Sequence, residues 1–185
     1  TVSNADNFKS VDVLILPGVG AFESCVSGMR SRGLVDAALD HVKSGRPFLG
    51  ICVGMQMMFD SSDEFGDHQG LGLIPGPVKP IPATGSDGAK HKIPHIGWNK
   101  LVAPDGGDWS ETILRNIPRD SHAYFVHSFA GYPLHSENLV ANTDYNGRPI
   151  AAVVRSGNAY GCQFHPEKSG EIGLQVLQDF LKSAL

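Results

Sequence analysis

The sequence predicts an α/β fold: an open, mostly parallel sheet with helices on both faces, plus an antiparallel hairpin region. Two apolar runs, at 11–16 and 48–53, have the composition of buried parallel strands. Between them, residues 23–44 carry apolar side chains at helical spacing. A strand, a helical region and a second strand in this order indicate a parallel sheet covered on both faces. Farther along, Asn146-Gly147 between two β-rich runs is typical of a type I′ hairpin turn.

The other elements follow from composition and periodicity. A helix-prone segment, 55–59, comes directly after the second strand, and an amphipathic helix is predicted over 171–184. Gly, Pro, Ser and Asp dominate residues 61–92, which predicts a surface excursion with one or two short strands. Further strands are predicted at 93–101, 122–129, 139–143, 149–154 and 158–164. Because there is no repeat and no internal linker, residues 1–185 are expected to form a single domain.

The charge and the cysteine content argue against several classes of protein. The formal net charge is −4 and there is no basic run, so neither a nucleic acid nor a membrane surface is expected as the main partner. No apolar stretch approaches the length of a membrane span. The three cysteines lack the spacing of a disulfide framework, which is typical of a reducing compartment. We therefore expect a cytoplasmic or plastid-stromal protein.

A cysteine flanked by two glycines lies where the second strand should turn into a helix. Gly50, Cys52 and Gly54 form the cysteine counterpart of the nucleophile elbow, in which a strained turn exposes a reactive side chain. We expect the glycines to permit the tight turn and to keep the path to the sulfur open. We also expect N–H groups at the start of the helix to favour the thiolate. The alternative is a buried cysteine with no chemical role.

The segment His165-Pro166-Glu167 supplies a base and a group that orients it. A cysteine nucleophile needs a base, and the base needs a partner that fixes its tautomer. Because proline favours extended geometry, alternation should place His165 and Glu167 on the same side, where the carboxylate can hold the imidazole. The alternative is a surface turn with an incidental ion pair, which leaves the elbow elsewhere in the chain unexplained.

Three other features give weaker signals. The turn at 17–20 after the first strand can direct backbone N–H groups toward an oxyanion. His127 lies in an apolar segment and is expected to be a core residue rather than a catalyst. Cys162 and His165 have the spacing of half a metal site, but no second pair completes it. Neither a metal nor a cofactor is therefore expected.

The elbow and the His165–Glu167 segment resemble those of class I (triad) glutamine amidotransferases. This resemblance implies a flavodoxin-like sheet and a Cys-His-Glu triad. Within the superfamily, the chain is similar over nearly its whole length to the glutaminase subunits of imidazole glycerol phosphate synthases. The segments that carry this closer similarity are Pro17–Phe22, Pro94–Asn99, Tyr124–Phe129 and His165–Ser169.

The resemblance implies that the chain hydrolyses L-glutamine. Cys52 would attack the side-chain amide carbon, and His165, oriented by Glu167, would pass the thiol proton to the departing ammonia. Water activated by His165 would then hydrolyse the glutamyl thioester. Backbone N–H groups of Val19 and Val53 would hold the oxyanion. The residues implied to bind glutamine are Gly18, Gly20, Gln56, Ser128 and Phe129.

The resemblance also implies a protein partner. Ammonia would pass to a (β/α)8-barrel cyclase, or synthase, subunit in a heterodimer, for incorporation into a phosphoribulosyl-formimino carboxamide ribotide. Trp98, Asn99 and Lys168 would lie at or near the face that meets this partner. The alternatives are ordinary packing for Trp98 and a solvated charge for Lys168.

Members of the family begin with a strand, a glycine-containing loop and a helix that have no counterpart after Thr1. We therefore expect a truncated or incompletely recorded N-terminus. The first strand of a doubly wound sheet is normally central. An unpaired strand edge beside exposed apolar surface is therefore expected in the remaining sheet.

Three other functions stay open from the sequence. The first is a glutaminase subunit for another acceptor, in anthranilate, aminodeoxychorismate or pyridoxal phosphate synthesis. The second is a cysteine peptidase built on the same elbow. The third is a catalytically silent module that only supports a synthase, although such a module does not need the four polar residues of the site. Those four are Cys52, Gln56, His165 and Glu167.

Overall fold

The structure, a computed structural model, describes residue 8 and residues 10–183. Strands and helical regions alternate up to Gln56, and β-strands then dominate until the last helix. The strands are β1 (Leu14–Gly18), β2 (Phe48–Cys52), β3 (Phe59–Ser62), β4 (His68–Gln69), β5 (Ile74–Pro80), β6 (His95–Lys100), β7 (His122–His127), β8 (Phe129–Gly131), β9 (Leu139–Tyr145), β10 (Arg148–Ser156) and β11 (Ala159–Cys162). The helices are α1 (Phe22–Ser31), α2 (Leu34–Lys43), α3 (Val53–Gln56) and α4 (Gly170–Lys182). Short 3-10 turns span Ser136–Asn138 and Pro166–Lys168.

The largest sheet of the described residues has the strand order β1-β2-β11-β10-β9 and confirms the predicted fold class. β1, β2 and β11 run parallel, whereas β10 and β9 extend the sheet in antiparallel pairs. Every residue of β2 and β11 is buried, so both faces of the parallel part are covered. The core therefore surrounds β2 and holds its carboxyl end rigidly.

The predicted hairpin joins β9 to β10. Asn146 and Gly147 have φ values of 53° and 75°, as a type I′ turn requires, and Tyr145 pairs with Arg148 across the turn. Asparagine and glycine adopt this left-handed backbone region at low cost. The Asn-Gly pair therefore predicted the turn correctly.

The stretch at 61–92 contains the strands β4 and β5, in agreement with the prediction of one or two short strands, but their pairing was not predicted. β5 pairs with β3 in parallel and with β8 in antiparallel orientation. Together with β4 these strands form a second sheet in the described chain, in the order β4-β3-β5-β8. β6 and β7 form a separate antiparallel pair. Glycine and proline interrupt the apolar runs of this region, so its long-range pairing leaves no local pattern in the sequence.

The helix after Cys52 is shorter than predicted, because α3 ends at Gln56 rather than at residue 59. The carbonyl groups of Met57 and Met58 accept hydrogen bonds from N–H groups at 71–74, which takes them out of the helical pattern. α4 confirms the predicted C-terminal helix, although the predicted last residue, 184, lies outside the described residues. No helix of the described part combines the length and the apolar composition needed to span a membrane.

β1 forms one edge of the main sheet in the described chain. An apolar cavity of about 530 Å3 lies beside it, lined by residues 13–17 and by Phe8, Met29 and Leu34. Ile15 on this strand is 40% exposed. Apolar surface therefore lies beside this edge strand of the described chain.

Three glycines let the elbow pack directly on β1. A Cβ at Gly54 would overlap the carbonyl oxygen of Leu16. A Cβ at Gly50 would lie 2.5 Å from the carbonyl oxygen of Gly54, and one at Gly18 would lie 2.7 Å from the nitrogen of Gly54. The positive φ at the elbow belongs to Cys52, whose φ is 55°, and not to either flanking glycine. The expected reason for these glycines is therefore corrected: close backbone contact requires them, not their conformational freedom.

We predict that Gly54→Ala lowers the free energy of unfolding by about 2–3 kcal/mol, because the added methyl group displaces the backbone of β1. Urea unfolding measures this change. Gly28→Ala is the matched control: a Cβ at this α1 position meets nothing within 4 Å. Its effect is expected to be a gain of up to about 1 kcal/mol. Wild-type stability in Gly54→Ala would contradict the contact.

Candidate active site

A cavity of about 310 Å3 lies at the carboxyl ends of β1 and β2. This edge of an open α/β sheet is the usual position of a ligand site. Gly18 and Cys52 end the two strands and are paired in the sheet register. The sequence-predicted site residues that line the cavity are Val19, Gly20, Cys52, Val53, Gln56, Ser128, Phe129, His165 and Lys168.

Cys52 occupies the turn from β2 into α3. Its backbone has φ 55° and ψ −113°, a sparsely populated region for a residue with a side chain. Such a conformation costs about 1–3 kcal/mol and persists only when the surroundings impose it. The direct packing of Gly54 on Leu16 supplies that constraint. The residue is 5% exposed and lines the cavity.

Burial raises the pKa of the Cys52 thiol to about 11, with Glu167 adding a smaller rise. A backbone hydrogen bond from Val53 and the charge of Lys168 lower this pKa, but they do not offset burial. Burial therefore opposes the expected thiolate, and α3, which has only one turn, offers few N–H groups to offset it. At neutral pH the thiol has to give its proton to a base during reaction.

His165 is the base available at this cavity. Its Nδ1 lies 2.7 Å from Oε1 of Glu167, which is 50% exposed, while His165 itself is buried. Since the carboxylate accepts the Nδ1 proton, Nε2 is left to accept another. The route to this geometry differs from the expectation. The two side chains meet through the 3-10 turn at Pro166–Lys168, closed by the Lys168 N–H on the His165 carbonyl, and not through extended alternation.

Gln56 is buried and both protons of its amide nitrogen are used. Nε2 donates to the Phe129 carbonyl at 3.0 Å and to Oε1 of Gln163 at 3.1 Å. The group that Gln56 can offer to a ligand is therefore its carbonyl oxygen, an acceptor. Gln163 in turn directs its own amide nitrogen to the sulfur of Cys52 at 4.0 Å.

Two residues of the site were missed from the sequence. Glu64 is the one carboxylate among the described residues that line the cavity, and its Oε2 accepts the Phe22 N–H at 2.6 Å, at the start of α1. No local pattern marks it, because it lies in an irregular loop. Gln163 had a usable signal: it precedes His165 by two residues, a spacing that shares one face of an extended segment.

The three residues expected at a partner surface differ in how far their side chains are available. Trp98 is 55% exposed on β6. The neighbouring Asn99 directs its amide inward, to His95 and to the Asp144 carbonyl. Lys168 is exposed and also lines the cavity. Trp98 and Lys168 are therefore available to a partner, whereas the side chain of Asn99 is already engaged within the protein.

Comparison with known proteins identifies the family of the chain. The model of the class-I glutamine amidotransferases matches residues 2–184. The chain belongs to this family. A cysteine at a strained elbow and a histidine held by glutamate on the same cavity agree with the triad chemistry of a glutamine amidotransferase.

Curated relatives of this glutamine amidotransferase are similar over nearly the whole chain. Imidazole glycerol phosphate synthase subunit HisH 1 of Legionella pneumophila (strain Lens) is 53% identical over 182 residues, which are 98% of this chain and 85% of the relative. The HisH subunit of Geobacillus sp. (strain WCH70) is 44% identical over 172 residues, which are 93% of this chain and 79% of the relative.

Solved structures support the fold. A crystal structure of a glutamine amidotransferase matches with a TM-score of 0.71 at 18% identity. The match covers 99% of this chain and 84% of the chain in that structure. The structure of PurLQS from Thermotoga maritima matches with a TM-score of 0.63 at 21% identity, covering 94% of this chain and 80% of the matched one. At these identities the likeness concerns the fold alone.

We predict that alkylation of Cys52 in this glutamine amidotransferase accelerates as pH rises, nearly tenfold per unit between pH 7 and 10, without a plateau near neutrality. A pKa raised to about 11 means that the thiolate fraction is small at pH 7 and grows with pH. Iodoacetamide labelling followed by peptide mass spectrometry measures the rate at this cysteine. A rate already constant above pH 7 would instead indicate a resting thiolate.

Proposed function

We propose that this glutamine amidotransferase is the glutaminase subunit of an imidazole glycerol phosphate synthase and acts in histidine biosynthesis. The observation that carries the glutaminase chemistry is the presence of Cys52 and His165 on one cavity, with Glu167 2.7 Å from the imidazole. The 53% identity to a HisH subunit favours the histidine pathway over anthranilate, aminodeoxychorismate or pyridoxal phosphate synthesis.

In the proposed reaction, the sulfur of Cys52 attacks the side-chain amide carbon of L-glutamine while Nε2 of His165 takes the thiol proton. Glu167 holds the Nδ1 proton and stabilises the imidazolium that forms. The imidazolium then protonates the leaving nitrogen, and ammonia departs from a glutamyl thioester. A water deprotonated by His165 hydrolyses the thioester, which releases glutamate and restores the thiol.

The oxyanion of each tetrahedral step requires backbone donors beside the sulfur. We assign this role to the N–H groups of Val53 and Val19. The Val53 N–H already lies within hydrogen-bonding reach of Cys52, and Val19 lines the same cavity in the glycine-rich turn after β1. Loss of one such donor typically costs about 3–4 kcal/mol of transition-state stabilisation.

Recognition of the amino-acid end of glutamine follows from the polar groups on the cavity wall. The α-ammonium group is a donor and a cation, so it fits the carboxylate of Glu64 and the free carbonyl oxygen of Gln56. Glu64 is anchored on the Phe22 N–H, which fixes its position. The backbone of Gly18, Gly20, Ser128 and Phe129 completes the proposed site.

The partner proposed for this protein is the (β/α)8-barrel cyclase that receives the ammonia, in a heterodimer. Ile96 and Trp98 are 58% and 55% exposed, and because they are two residues apart they lie on the same face of β6. Ile96 pairs with Val126, which lines the cavity, so this apolar surface continues from the cavity wall. Trp98 and Lys168 are the proposed contacts with the partner. Asn99 is proposed to support this surface from within the protein, through its hydrogen-bonded side chain.

We propose that the chain forms a single domain and that it works in the cytoplasm without a cofactor. A reducing compartment suits its thiols, because Cys25, Cys52 and Cys162 are all free. A free thiol at position 52 is a requirement of the proposed chemistry, so an oxidising compartment would be unfavourable.

We predict one covalent adduct on Cys52 when the chain, in complex with its cyclase partner, is treated with a glutamine-like diazo-ketone. Intact mass and peptide mapping detect the adduct, and excess L-glutamine is expected to slow its formation. Cys52→Ala should form none, whereas the control Cys25→Ser should be labelled like the wild type. Labelling that L-glutamine does not slow, or an adduct on another residue, would refute the proposed glutaminase.

A further inference from the structure

Two histidines, of which His127 lines the cavity, form a buried pair. His95 and His127 face each other across β6 and β7, with Nδ1 of His95 3.0 Å from Nε2 of His127. The ring of His95 stacks between Phe125 and Tyr145, at centroid distances of 5.1 Å and 4.1 Å. Burial lowers the pKa of both rings, that of His127 to about 3, so the pair carries no charge at neutral pH.

Each end of the pair faces an oxygen that accepts a hydrogen bond. Nδ1 of His127 lies 2.8 Å from the Phe129 carbonyl. Nε2 of His95 lies 2.9 Å from the side-chain oxygen of Asn99, whose nitrogen donates to the Asp144 carbonyl at 2.9 Å. Satisfying both oxygens and the contact between the rings takes three ring protons, but two neutral imidazoles carry only two. One of the three contacts is therefore left without a proton.

The missing proton belongs at the Asn99 end. Asn99 is half-buried, so its amide can turn toward water, whereas both histidine rings and the backbone beside them have no such freedom. With the mismatch there, His95 donates from Nδ1 to His127, and His127 must carry its own proton on Nδ1. That proton is the one donated to the Phe129 carbonyl.

The Phe129 carbonyl is part of the glutamine cavity. It accepts the His127 proton and also Nε2 of Gln56, which uses both of its lone pairs. Gln56 continues through Gln163 toward the sulfur of Cys52. Fixing this carbonyl therefore fixes one wall of the cavity and the orientation of the Gln56 amide.

We propose that His127 and His95 are positioning residues of the glutaminase reaction: His95 sets the tautomer of His127, and His127 fixes the Phe129 carbonyl and through it Gln56. The reaction in this inference is that of the proposed function. The geometry comes from the hydrogen bonds between these residues. Neither histidine touches the reacting atoms.

The test compares His127→Asn with His127→Gln in the complex with the cyclase. The asparagine amide lies where Nδ1 lies and keeps a donor for Phe129, whereas the glutamine amide reaches only the position of Nε2. We expect His127→Asn to stay within about threefold of the wild-type KM for L-glutamine, and His127→Gln to raise this KM about tenfold or more, the scale of losing one buried hydrogen bond. His135→Gln, at an exposed loop position, is the control for the substitution itself.

A spectroscopic measurement decides the geometry independently of turnover. In 15N-labelled protein, His127 is expected to be protonated at Nδ1 and bare at Nε2, and the 13C resonance of the Phe129 carbonyl should move in His127→Gln but not in His127→Asn. Protonation at Nε2 instead, or equal KM values for the two variants, would overturn the proposal. A wild-type complex that does not hydrolyse glutamine would refute the proposed function, while the spectra would still decide the positioning claim.

Discussion

The close approach of Gly54 to the carbonyl oxygen of Leu16 is the constraint on which the site depends. It leaves no room for a side chain, and it holds the start of α3 against the end of β1. The chain then has to reverse within one residue, and Cys52 takes up a strained backbone conformation to do so. The strain is sustained because β2 is buried along its whole length, so the elbow cannot relax without opening the core.

The same burial determines the chemistry. A sulfur removed from water holds its proton more tightly, and the resting thiol is therefore neutral. The proposed reaction consequently needs a base that acts as the substrate arrives, and His165 is held for this purpose by Glu167. A second, hydrogen-bonded series runs from His95 through His127, the Phe129 carbonyl and two glutamines to the same sulfur. In the proposed reaction the first arrangement moves protons, and the second is proposed to fix the shape of the cavity around it.

Much of this architecture could be predicted from the sequence, because it depends on patterns among neighbouring residues. The apolar runs of β1 and β2, the Asn-Gly turn and the periodicity of α4 each need only neighbouring residues to be recognised. The triad candidates were found in the same way, from a cysteine between glycines and from a histidine and a glutamate two residues apart.

What the sequence did not reveal depends on distant residues. Glu64 meets Phe22 across 42 positions, and His95 meets His127 across 32, and neither pairing has a local signature. The short α3 depends likewise on backbone hydrogen bonds from residues 71–74, and the second sheet depends on the pairing of β5 with β3 and β8.

Release of ammonia from glutamine by Cys52, for use by a cyclase partner, is the step on which the proposed function depends. The most direct measurement compares synthesis of imidazole glycerol phosphate by the complex from L-glutamine and from free ammonium, for wild type and for Cys52→Ala. We expect the variant to lose synthesis from L-glutamine and to retain synthesis from ammonium, since the cyclase is untouched. Undiminished synthesis from L-glutamine in Cys52→Ala, or no synthesis by the wild-type complex from L-glutamine, would contradict it.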